Sequence, residues 1–335
     1  MKIIVDAFGG DNAPLEIIKG CEMAVNELGY EIILVGNETV IKTEAEKNKI
    51  SLAHMTIKHT DEVIATDDDP MSVMKEKNNS SMAVGLQMLA RGEGDAFVSA
   101  GNSGALAVGA TLIVKRIRGI KRCAFAPVIP KNDGFFMLID SGANVETRPE
   151  MLKQFGIMGS IYMENVMVVK DPRVGLVNIG TESNKGDELR FEAYKLLSES
   201  GLNFIGNIES RDIPKDAADV VVTDGFTGNI ILKLYEGMAS AVFGKFKEVL
   251  NKNVKTKLAA AMIMPELKDM KKQMDYNEYG GAPLIGISKP VFKAHGSSKA
   301  ITFKNAIRLT GEYVKRNVVG TITAVVKDLK AKEEE

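Results

Sequence analysis

Five times in 335 residues a short apolar run ends at a glycine-rich turn, and most of these turns lead into a helical pattern. The runs occupy residues 3–7, 96–100, 174–179, 220–223 and 291–294, and their turns begin at Gly9, Gly101, Gly180, Gly225 and Gly296. Runs this short are strand-length, and their alternation with helix-period segments restricts the chain to an α/β architecture with a mostly parallel sheet. A strand, a glycine and then a helix start aim unpaired backbone N–H groups at an anion beyond the carboxyl edge of that sheet. Five such turns predict a shared cleft for phosphate or a similar oxyanion.

From the amino terminus to about residue 130, strands at 3–6, 32–35, 55–57 and 96–100 alternate with helical patterns. These begin at Pro14 and about Thr39, run over 72–89, and begin again at Ser103. That rhythm is doubly wound. A further strand at 135–139 runs into Asp140-Ser141-Gly142-Ala143-Asn144, a helix starts at Pro149, and another starts at Gly186. No linker interrupts the pattern, so the sheet is expected to continue through one catalytic domain spanning 1–335. Residues 229–275 break the rhythm. Ile230, Leu234, Met238, Val242, Phe246 and Val249 recur at helical spacing, a basic turn covers 252–257, and Pro265 precedes Leu267, Met270 and Met274. A protruding helical hairpin is expected there, followed by a single closing helix over about 298–329.

The 43 Lys+Arg and 44 Asp+Glu leave a formal charge of -1, which gives no electrostatic reason to expect a nucleic-acid partner. Cys21 and Cys123 are isolated from each other and from His54, His59 and His295, so neither a disulfide framework nor a zinc site is indicated. The first apolar run is too short for a signal peptide, and none approaches the roughly 18 residues of a membrane span. A cytoplasmic protein is expected, free to lie on a membrane surface.

The established phosphate fingerprints are missing. No G-x-G-x-x-G follows a strand, no G-x-x-x-x-G-K-[ST] occurs, and Gly101-Asn102-Ser103-Gly104 is not a G-x-S-x-G elbow. The turns must be weighed by their own residues. Lys185, in the turn 180–186, is either a cation at an anion site or a solvated lysine. Asn229 can donate its amide to an oxyanion, while Asp224 or Thr227 caps the long helix. His295 precedes Gly296-Ser297-Ser298, whose amides and hydroxyls suit phosphate, and is either a proton carrier or a packed histidine. Asp6 and Asp140 end strands and can equally bond turn amides.

Taken in order, these segments resemble the phosphate acyltransferases of the PlsX type. The resemblance rests on Val5-Asp6-Ala7-Phe8-Gly9-Gly10-Asp11, Ser80-Ser81-Met82, Ser99-Ala100-Gly101-Asn102-Ser103-Gly104-Ala105 and Gly142-Ala143-Asn144. It continues through residues 180–186, 207–212 and 224–233, then Tyr279-Gly280-Gly281-Ala282-Pro283 and His295-Gly296-Ser297-Ser298. It departs in the first block, with Phe8 where methionine is usual and Asn12 where histidine is usual.

The resemblance implies a three-layer α/β/α homodimer related to phosphotransacetylases and isopropylmalate-type dehydrogenases. It implies transfer of a long-chain acyl group from acyl carrier protein to inorganic phosphate, without cofactor or metal, for a membrane glycerol-3-phosphate acyltransferase in bacterial phospholipid synthesis. On that footing the catalytic set is Lys185, Asn229 and His295, and the phosphate set is Gly9, Gly10, Asn102, Ser103, Gly228, Gly296, Ser297 and Ser298. Phosphate is a competent nucleophile at neutral pH, so positioning and oxyanion stabilisation are the protein's tasks. An acyl-enzyme through Ser103 is the covalent alternative. Leu258, Ala261, Met262 and Ile263, flanked by lysines, suit either peripheral contact with the inner face of the cell membrane or a buried dimer contact. Lys115, Arg116, Arg118, Lys121 and Arg122 form either the docking patch for the acidic carrier or a solvated helix end. Other readings are a phosphotransacetylase-like enzyme on another acyl donor and a non-catalytic membrane scaffold.

Overall fold

Two sheets organise the chain where one was expected. The computed structural model describes residues 1–273 and 280–334; Met274, Tyr279 and the end of the expected hairpin lie outside the described residues. In chain order the first strands are β1 (Lys2–Asp6), β2 (Glu31–Gly36), β3 (Met55–His59), β4 (Ala96–Ser99), β5 (Ala124–Phe125) and β6 (Val128–Pro130). They are followed by β7 (Phe135–Ile139), β8 (Val174–Asn178), β9 (Phe204–Glu209), β10 (Val220–Val222), β11 (Ala282–Ile285) and β12 (Val291–Lys293). Seven strands pair in the order β3-β2-β1-β4-β12-β11-β5, and five in the order β6-β7-β10-β8-β9. Among the described strands, only the β12–β11, β11–β5 and β6–β7 pairs are antiparallel. The change of sheet falls at Pro127, which has no N–H to give a ladder. On either side of it, the Phe125 carbonyl accepts from Ser141 N and the Pro127 carbonyl from Leu138 N.

Alternation along the strands builds the layers. Ile3 and Val5 of β1 join one core and Ile4 the other. The helices are α1 (Leu15–Leu28), α2 (Glu38–Lys47), α3 (Ser81–Arg91), α4 (Ser103–Gly109), α5 (Pro149–Asn165) and α6 (Glu188–Ser198). They continue with α7 (Gly225–Leu250), α8 (Val254–Met262), α9 (Met264–Gln273), α10 (Ala300–Lys315) and α11 (Val318–Glu334). The first core, which includes Ile18, Phe155, Phe303 and Ile322, is shared by the inner faces of both sheets.

Two helical expectations are corrected. The pattern over 72–89 is a short 3-10 turn, Pro70–Met74, and then α3, because Asn78, Asn79 and Ser80 favour local side-chain bonds over helix. Ser80 caps α3 by accepting from Ala83 N. The closing helix is split at Asn317, whose φ of 49° is left-handed, a conformation asparagine tolerates better than most residues. The hairpin is three helices. The 26 residues of α7 make a rod about 39 Å long. An Asn253–Thr256 capping box starts α8, and Pro265 falls in the first turn of α9, where its missing N–H costs nothing.

Candidate active site

The carboxyl ends of β4, β7, β10 and β12 meet around a cavity of about 360 Å³ whose wall includes Ser103, Gly142, Asn229, Lys233, Glu236, Lys293, His295 and Gly296. Its frame is a set of turns tied to one another. The Asp11 amide donates to Gly296 O at 2.8 Å, and Asn12 Nδ2 donates to Ser297 O at 3.0 Å and Ser298 O at 3.3 Å. Asn12 is therefore a clamp on the His295 turn, a task that needs a donor and no proton exchange. Gly10 turns the chain with φ +97°, and a Cβ there would lie 2.8 Å from Gly296 O.

Two buried carboxylates brace this frame. Asp6 accepts from the Ser81 and Ser99 hydroxyls, both at 2.7 Å, and from Phe8 N at 3.2 Å. Burial pushes its carboxyl up and the two serines pull it back. Asp140 accepts from the amides of Phe125, Gly142, Ala143 and Asn144 at 2.8–3.1 Å. Burial raises it too, opposed first by the Ala143 amide. Each charge-assisted amide bond of this kind is worth about 1.5–3 kcal/mol, so Asp140 fixes the 140–144 turn on which α7 is seated. At Gly228 a Cβ would fall 1.8 Å from Asp140 O, so only glycine lets α7 approach this closely. Asp224 caps α7 by accepting from Thr227 N at 2.8 Å and is held by Arg190 of α6.

The structure brings some of the expected site residues together and separates others. Asn229 opens the second turn of α7 against Gly142, with no hydrogen bond to its carboxamide among the described residues. His295 Nδ1 accepts from Ser297 N at 3.3 Å and contacts the Ser297 hydroxyl at 2.8 Å. A lone pair on Nδ1 puts the neutral ring's proton on Nε2, which lies 4.0 Å from Glu236 Oε1. Both donors of Ser297 thus serve the imidazole, not phosphate as expected. Ser103 and Gly296 line the cavity.

The remaining expectations need correction. Asn102 is fully engaged elsewhere: its Oδ1 caps α4 at Ala105 N, and its Nδ2 donates to Ala65 O, Thr66 O and Asp68 O. Gly9, Gly10 and Gly228 shape the turns without lining the cavity, and Ser298 is buried beside it with its hydroxyl unpaired among the described residues. Lys185 sits in the exposed loop after β8, held through its carbonyl by Asn178 Nδ2, and its side chain is not part of the cavity wall.

Three wall residues escaped the sequence reading. Lys233 and Glu236 stand four and seven residues after Asn229, which places all three on one face of α7. That spacing was a usable signal. Lys293 had a weaker one, a lysine interrupting the apolar run of β12.

The other side of α7 is different in kind. Ile230, Leu234, Met238, Val242 and Phe246, with Val177 and Ile179, line an open groove of about 1640 Å³ rimmed by Lys131, Arg190 and Arg211. Tyr235 and Ala239 line both this groove and the cavity beside Asn229. Beyond it, Leu258, Ala261, Met262 and Ile263 are exposed, Met262 at 82%. The side chains of Lys268, Lys271 and Lys272 lie outside the described residues. Lys115, Arg116, Arg118, Lys121 and Arg122 are all exposed; Lys115 caps the helical stretch that continues α4 to Val114, the others follow on the loop to β5, and Arg148 extends the cluster.

Mostly parallel strands with a cleft at their carboxyl ends are an α/β arrangement that this chain shares with phosphotransacetylases. A phosphotransacetylase from Streptococcus pyogenes matches with a TM-score of 0.62 at 16% identity, covering 94% of each chain. The EutD phosphotransacetylase from Staphylococcus aureus matches with a TM-score of 0.57 at 17% identity and the same coverage. The sequence is more specific. Residues 1–321 match the family described as fatty acid synthesis protein. A phosphate acyltransferase from Thermoanaerobacterium thermosaccharolyticum is 48% identical over 322 residues, 96% of each chain. Another from Alkaliphilus oremlandii is 46% identical over 329 residues, 98% of each. The chain belongs to the phosphate acyltransferase family and is an acyltransferase. Among the described residues, no helix is long and apolar enough to cross a membrane.

Proposed function

We propose that the enzyme transfers a long-chain fatty acyl group from acyl carrier protein to inorganic phosphate in the cavity beside α7. The observation that carries this reading is the convergence of Asn229, Lys233 and His295 on one small cavity. A phosphate oxygen attacks the thioester carbonyl, the new C–O bond forms, the C–S bond breaks, and the carrier leaves as its thiolate. The unengaged Asn229 amide suits the developing oxyanion. His295, oriented by Ser297 and facing Glu236, manages protons on phosphate or the departing sulfur. Lys185 stands on the same sheet edge as Asn229, on a loop whose closure would add a cation to the phosphate site.

The acyl product is water-insoluble, and its consumer is a membrane glycerol-3-phosphate acyltransferase. Exposure of Leu258, Ala261, Met262 and Ile263 near Lys252, Lys255 and Lys257 supports peripheral contact with an anionic leaflet. The apolar stripe of α7 supports a homodimer, since half-burying its six exposed side chains is worth on the order of 5 kcal/mol. The basic loop at 115–122 supports docking of an acidic carrier.

The experiment is formation of acyl phosphate from long-chain acyl-acyl carrier protein and phosphate, trapped with hydroxylamine as the hydroxamate. Phosphate-dependent product is expected, with acetyl donors much poorer. Equal or better turnover of acetyl donors would assign another acyl donor, and no product from folded protein would overturn the reading.

A further inference from the structure

Lys293 is the one cavity-lining cation anchored to the protein frame among the described residues. Its ammonium donates to Ala294 O at 2.6 Å and to Ala100 O at 3.1 Å, the carbonyls that follow the ends of β12 and β4. An ammonium has three donors, and nothing among the described residues accepts the third. The residue nevertheless lines the cavity with Asn229 and His295. Lys233, by contrast, is exposed with no partner among the described residues, and Lys185 is exposed on its loop outside the wall.

A lysine on an inner strand carries a desolvation cost that a simple latch between two carbonyls does not require. The neighbouring carboxylates do not pair with it directly. Asp6 spends its oxygens on Ser81, Ser99 and Phe8 and acts on Lys293 only through its field, as does Asp11. The charge is thus retained without being quenched, and one N–H is left for a ligand.

We propose that Lys293 is a catalytic residue that grips inorganic phosphate, using the uncommitted N–H of an ammonium fixed by Ala100 O and Ala294 O. This rests on the phosphate-transfer reading above. The ammonium stays protonated through the reaction. It holds the nucleophile next to the carbonyl that Asn229 faces and takes part in no bond making or breaking.

The test is initial-rate kinetics of Lys293→Met and Lys293→Arg with phosphate varied at saturating acyl donor, alongside thermal melts with and without phosphate. Lys293→Met is expected to raise KM for phosphate by about tenfold or more, to leave KM for the acyl donor within about twofold, and to lose the stabilisation by phosphate. Lys293→Arg should recover part of the phosphate affinity. A Lys293→Met enzyme with a lowered melting temperature but unchanged KM for phosphate would overturn the proposal and leave a latch. If that variant does not fold, amine labelling of the wild-type enzyme, read by mass spectrometry, decides. Phosphate should protect Lys293, and equal labelling with and without phosphate would overturn the assignment. Protection without acyl phosphate formation would sustain Lys293 as a phosphate ligand while rejecting the transfer reaction.

Discussion

The two sides of α7 make opposite demands on the same helix. One face closes a cavity of about 360 Å³ and presents Asn229, Lys233 and Glu236 to turns braced by buried carboxylates. The other faces an apolar groove of about 1640 Å³, where Leu234 is 63% exposed and no described element covers the stripe. Hydrogen-bonded turns are concentrated around Asn229 and His295, and exposed apolar surface along Ile230, Leu234, Met238, Val242 and Phe246. Tyr235, whose hydroxyl donates to Pro130 O at 2.7 Å, stands on the boundary between them.

The comparison breaks most readily at the seat of the helix. Gly228→Ala would drive a methyl group into the Asp140 carbonyl, so α7 must shift. A stability loss of more than about 2 kcal/mol is expected in denaturant melts, with activity abolished. Asn229→Ala tests the polar face alone. It should lower kcat on the order of a hundredfold with an unchanged melting temperature, the size of effect seen when one oxyanion donor is removed. Lys185→Ala should cost about tenfold in turnover if the loop closes on phosphate, and near-normal rates would remove it from the scheme.

A pH titration sharpens the cavity side further. Burial lowers the Lys293 ammonium to about 8, against the pull of Asp6 and Asp11. Its phosphate affinity should therefore fall as pH rises through about 8. Over the same range this group's burial cost to the folded state is relieved, because the unfolded lysine still holds its proton up to 10.5. Binding isotherms for phosphate at several pH values check the direction. The smallest expected catalytic effect belongs to the other side. Met262→Glu should leave turnover of a soluble acyl donor unchanged while reducing flotation with anionic vesicles, and equal flotation would count against membrane contact.

Much of the fold was legible because strand length, helix period and glycine punctuation agree along the chain. The division into two sheets was not, since it depends on Pro127 ending a ladder and on long-range bonds such as Ser141 N to Phe125 O. At the site, Asn229 and His295 were readable from strand-end turns. Asn102 was misread because its side chain is spent on the 65–68 loop, a partner that sequence spacing cannot show. Lys293 stayed hidden because a lone lysine in an apolar strand acquires meaning only when two distant turns meet over it.

The most direct measurement is incorporation of labelled inorganic phosphate into acyl phosphate by the wild-type enzyme and by Asn229→Ala under the same saturating conditions. Label should enter the wild-type product, with a rate lower by two orders of magnitude in the folded variant. Equal rates in the two proteins would contradict the placement of the reaction in the cavity beside α7.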